Sequence, residues 1–67
     1  MAQRNGVLQA LELTRKSLRV TLKETEEISE VAVEEEVLLE LERMRRICTV
    51  ALRDATSAER SLKRTIN

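Results

Sequence analysis

From Leu41 to Leu62 the small and apolar residues recur in alternating steps of three and four: Leu41, Met44, Cys48, Ala51, Ala55, Ala58 and Leu62. A helix makes about 3.6 residues per turn, so a strict seven-residue repeat is a seam that stays buried only against another helix. This strip is the main predicted interaction face. A second strip lies nearer the N-terminus, where Leu8, Leu11, Leu18 and Leu22 share one helix face with polar Thr14 and Thr21 inside it. It continues weakly through Thr25, Ser29 and Ala32. Asn5 and Gly6 are acceptable N-cap residues, so the pattern predicts a disordered N-terminus over 1–6 and a helical segment over 7–65.

The two strips are out of phase. Continuing the first frame puts a seam position at Glu36, whereas the second demands Val37. The predicted fold is all-α: one long helix, either continuous through a local change of supercoil or broken near residues 33–37, forming a coiled coil or helical bundle with partner chains. A straight helix of this length would be a rod of roughly 90 Å. The stretch VAVEEEVLL, residues 31–39, is rich enough in β-branched residues to read as a strand, but an isolated strand has nothing to pair with.

Composition narrows the chemistry. The 67 residues contain one cysteine, no histidine, no aromatic residue, no proline and a single glycine, Gly6. The usual Cys/His metal sets and a disulfide framework are therefore excluded. With no histidine, no Gly-rich loop and no pocket in a rod, an enzyme is not expected, nor a cofactor or small-molecule substrate. No apolar run approaches the roughly 20 residues of a membrane span, which predicts a soluble, intracellular chain on the cytoplasmic side, with at most peripheral membrane contact. Cys48 reads first as a small buried seam residue, with a redox-sensitive thiol or intermolecular disulfide as the alternative.

Net charge is zero, yet it is strongly segregated: +3 over residues 1–22, −8 over 23–42 and +5 over 43–67. For straight helices, parallel in-register pairing stacks like blocks, and so does symmetric antiparallel pairing. A hairpin folded at Glu34–Glu36 brings the basic arms together and lacks a glycine or proline turn. Staggered or heterotypic assembly relieves all three conflicts, so the expected partners are other helical proteins. The basic set Arg43, Arg45, Arg46, Arg53, Arg60, Lys63 and Arg64 is the alternative site, for anionic lipid or nucleic acid. Nucleic acid is disfavoured by overall neutrality and the lack of aromatics for stacking. A homo-oligomeric coiled-coil scaffold is a further alternative. Glu34, Glu35 and Glu36 point in different directions on a helix and read as a solvated patch rather than a cation site.

Two stretches carry a family resemblance. LTRKSLRVTLKETEEIS, residues 13–29, resembles the opening of Qb-type SNARE motifs, and LERMRR, residues 41–46, is similar to the run that follows their centre. Cys48, Ala51, Ala55, Ala58 and Leu62 fall where that family places its small and aliphatic layers, and the likeness spans roughly residues 13–66. It implies a helix contributed to a four-helix bundle in vesicle trafficking. The family's central glutamine is missing, the only glutamines being Gln3 and Gln9, and about two residues are absent between the matched stretches. The resemblance therefore implies a divergent or non-fusogenic member without its own membrane anchor.

Overall fold

A computed structural model describes the backbone of residues 2–66 and the side-chain surroundings of residues 5–65. Two helices make up the described chain, α1 from Ala2 to Val31 and α2 from Glu35 to Ile66. They pack against each other as an antiparallel hairpin measuring 49 × 14 × 13 Å. Among the described residues there is no strand. α1 already includes Ala2, ahead of the start expected near Val7, while Met1 lies outside the described residues.

The break falls at Ala32, Val33 and Glu34, within the region where the two seam frames disagree. There the chain breaks and reverses into the hairpin that the charge blocks and the missing glycine or proline argued against. No described residue adopts a positive φ, so the turn needs no glycine. The Ala32 amide donates to the Ile28 carbonyl at 2.9 Å, continuing the ladder of α1 past its last helical residue. The Leu38 amide donates to the Glu34 carbonyl at 3.0 Å, which makes Glu34 the N-cap residue of α2. Glu35 and Glu36 then occupy the first turn, where carboxylates suit the positive end of the helix dipole. The acidic triplet is thus a helix start.

Like charge does not prevent the reversal. Of the nine glutamates in residues 23–42, all except the half-buried Glu42 are exposed. Exposed like-charge pairs cost only about 0.2–0.5 kcal/mol each and are screened by salt. Burying a single leucine such as Leu41 contributes about 1.5–3 kcal/mol. The apolar strips therefore outweigh the charge blocks, provided each helix has something to cover it, and each covers the other.

The face of α1 that meets α2 is Leu8, Leu11, Arg15, Leu18, Leu22, Thr25, Ser29 and Ala32, an unbroken alternation of three and four, each residue buried or half-buried. On α2 the covering face is Val37, Leu41, Cys48, Leu52, Ala55, Glu59 and Leu62. The interior is thin. Among the described residues the buried apolar ones are Leu41, Cys48 and Ala55, and no large side chain is fully enclosed. Hydroxyl groups in and beside the interface satisfy themselves on their own helix. Thr25, only 2% exposed, donates to the Thr21 carbonyl at 2.8 Å, and Ser29 to the Thr25 carbonyl at 2.9 Å. Buried in this way, they cost little and let the helices approach closely.

Candidate interaction surface

Two charged groups are built into the interface. Arg15 Nε donates to Glu59 Oε2 at 2.8 Å, and Glu59 is only 5% exposed although it is ionisable. A carboxylate so enclosed needs a cation, and Arg15 reaches it from the opposite helix. Around this pair Arg19, Thr56, Arg60 and Lys63 complete a groove of about 200 Å³ along one side of the hairpin. Sequence reading missed both residues. Arg15 sits where the first strip has a gap between Leu11 and Leu18, and Glu59 sits beside Ala58, which fits an apolar seam better.

That groove fixes the orientation of both helices. It lies on the flank of α1 that carries Arg19 and on the flank of α2 that carries Thr56, Arg60 and Lys63. At about 100° per residue, the opposite side of the hairpin is formed by a different pair of stripes. On α1 these are Val7, Ala10, Thr14, Ser17, Thr21 and Ile28, all exposed. On α2 they are Met44, Ile47, Ala51 and Ala58, with Val50 alongside; Met44 is 43% exposed and Ile47 67%. An open groove of about 410 Å³ lies on this stripe of α2, lined by Arg46, Ile47, Val50, Ala51 and Asp54. The hairpin therefore has one charged side and one side, termed the apolar side, where small, hydroxyl and aliphatic residues predominate, with Arg46 and Asp54 at its groove. Thr14 keeps the apolar side chemically quiet by donating to the Ala10 carbonyl at 2.9 Å.

The seven-residue repeat of α2 is divided between these environments. Leu41, Cys48 and Ala55 are buried against α1 and Leu62 half-buried there, whereas Met44 and Ala58 are exposed on the apolar side and Ala51 lies between them, half-buried. The leucines of the N-terminal strip, Leu8, Leu11, Leu18 and Leu22, all face α2 and are half-buried. Thr14 and Thr21, placed by the sequence inside that strip, are exposed at its edge.

The seven basic residues differ in what they hold. Arg45 grips Glu42 with two hydrogen bonds, Nη2 to Oε1 at 2.6 Å and Nε to Oε2 at 3.1 Å, and Arg46 Nε reaches Glu42 Oε1 at 3.3 Å. The Arg45 hydrogen bond holds the Glu42 carboxyl below its ordinary value, and Glu42 in turn raises Arg45. Arg53 lies 4.0 Å from Asp54. Arg60 and Lys63 belong to the charged groove, and Arg43 and Arg64 are exposed. Cys48 is a free thiol buried against α1. Among the described residues no cluster of His, Cys, Asp or Glu could hold a metal ion, and no helix is long and apolar enough to cross a membrane. Neither protein-family models, nor curated proteins, nor solved structures give a match to this chain.

Proposed function

We propose that this chain is a non-catalytic interaction module whose helical hairpin completes a larger helical bundle through its apolar side. The observation that supports this reading is the division of the α2 repeat. Its seam points midway between α1 and the uncovered side, as the core-facing stripe of a helix does when it has two neighbours instead of one. The heterotypic preference rests in part on the like charge that a hairpin brings together, and the chain folds as a hairpin nonetheless, which weakens that ground. SNARE-type assembly is a narrower form of the same proposal, and it requires the hairpin to open at Ala32–Glu34 into one helix. A second reading draws on the Arg15, Arg19, Arg60 and Lys63 groove, which suits an anionic lipid surface or nucleic acid.

Affinity capture from cells with paired variants tests these readings. Ile47→Glu with Ala51→Glu is expected to abolish association with protein partners, while Arg19→Glu with Arg60→Glu leaves it intact. The reverse pattern, with binding to anionic vesicles or oligonucleotides at physiological salt lost only on the charged side, would replace the first reading with the second.

A further inference from the structure

We infer that the apolar side is covered by a second copy of the chain, docked antiparallel, so that two hairpins form one four-helix bundle; this rests on the interaction-module reading and names its partner.

Charge distribution selects the orientation. With the turn at 32–34, residues 17–49 make the closed half of the hairpin, where five basic residues meet nine glutamates for a net −4. Residues 1–16 and 50–67 make the open half, where seven basic residues meet three acidic ones for a net +4. A parallel pair of hairpins lays −4 on −4 and +4 on +4. An antiparallel pair lays each acidic half on a basic half. With the twofold axis crossing near residues 49–50, Glu36 and Glu40 of one copy come level with the open half of the other, where basic residues outnumber acidic ones. Asp54, the single charge in the α2 stripe 44–47–51–54–58, comes level with Arg45 and Arg46. The α1 stripe 7–10–14–17–21–24–28 likewise holds one charge, Glu24. Two such stripes meet without enclosing a block of like charge.

Surface area points the same way. The chain exposes 5531 Å², whereas a compact monomer of 7.7 kDa exposes about 4,300 Å². The excess, roughly 1,200 Å², exceeds the roughly 800 Å² that each partner loses in a standard interface. A second hairpin on the apolar side removes roughly 800 Å² of that excess and also encloses Met44, Ile47 and Ala51. Because the same patch serves both copies, the contact is isologous and closes at two.

Sedimentation equilibrium of the purified full chain is expected to give twice the 7.7 kDa mass at micromolar concentration, with dissociation at least tenfold easier in 1 M than in 0.1 M salt. Val50→Glu is expected to give a monomer, and Arg64→Glu only a small shift. Orientation is read by oxidation in a Cys48→Ala background. Val50→Cys, beside the axis, is expected to link to its own copy, whereas the two Ala58→Cys positions stand roughly 25 Å apart along the bundle at 1.5 Å per residue and do not link. Equal linking of both positions would overturn the antiparallel arrangement. A helical monomer at all concentrations to 100 µM would overturn the second copy as occupant. Neither result touches the interaction-module reading, which the capture experiment decides by itself.

Discussion

In the half that contains the turn, Leu41, Cys48 and Thr25 are buried and the chain itself ties the helices together. At the open end Leu8, Leu11 and Leu62 are only half-buried, and the place of an apolar layer is taken by the Arg15–Glu59 pair. The two ends thus use different devices for one task. Near the turn a modest apolar contact suffices, because the linker has already removed most of the freedom the contact must fix. At the open end no linker helps, and a buried ion pair sets the register of α1 against α2. Such a pair gives specificity more readily than stability, since desolvating both charges offsets much of their attraction.

Substitutions at each end should separate these devices. Leu41→Ala is expected to have the largest effect, about 2–4 kcal/mol of lost stability in urea unfolding, because it empties the most enclosed aliphatic position. An effect no larger than that of Leu62→Ala would erase the distinction between the ends. Glu59→Gln is expected to cost about 1–3 kcal/mol by leaving Arg15 partly buried without a countercharge. The double variant Arg15→Leu with Glu59→Leu is expected to match or exceed the parent in stability while loosening the helix register, seen as broader amide resonances at the open end. A double-mutant cycle returning no coupling would show that the pair holds nothing. Gly6→Ala is a milder probe of the same end. A methyl there meets no atom within 4 Å, and the change should stabilise α1 by about 0.5 kcal/mol through reduced fraying. The smallest effect is electrostatic. The depressed Glu42 carboxyl contributes stability that is complete above the ordinary carboxylate range and lost as pH falls through its lowered value. Carboxyl NMR titration is expected to show Glu42 ionising below the ordinary carboxylate range, and Arg45→Gln to bring it back toward that range.

Much of this architecture is legible in the residues, and the illegible part has a definite physical origin. All-helical character follows from composition and periodicity. The site of the break follows from the conflict between Glu36 and Val37 as seam positions. The reversal does not, because the expectation of glycine or proline in turns fails for a helical hairpin whose linker stays at negative φ. Positions 41, 48, 55 and 62 belong to the seam in either of two frames. The remaining positions are 44, 51 and 58 in one frame and 45, 52 and 59 in the other. Sequence alone favours Ala58 over Glu59, since an unpaired carboxylate does not belong in a seam. Only the arrival of Arg15 from the other helix makes Glu59 acceptable, and that contact spans 44 residues of chain. The apolar side was partly visible, as Met44, Ala51 and Ala58, but sequence could not divide them from their neighbours without the position of α1.

The short linker has one more consequence. Ala32, Val33 and Glu34 do more than join the helices, because their number sets the rotational phase of α2 relative to α1. Each residue added or removed turns the following helix by about 100° about its own axis. One insertion would swing Met44, Ala51 and Ala58 or the charged flank toward α1 and carry Glu59 away from Arg15. The linker therefore works like the bit of a key. Its length, more than its residue types, decides which stripe of α2 is spent inside the hairpin and which is left on offer, and Val33, 89% exposed, is free to vary as long as the count is kept.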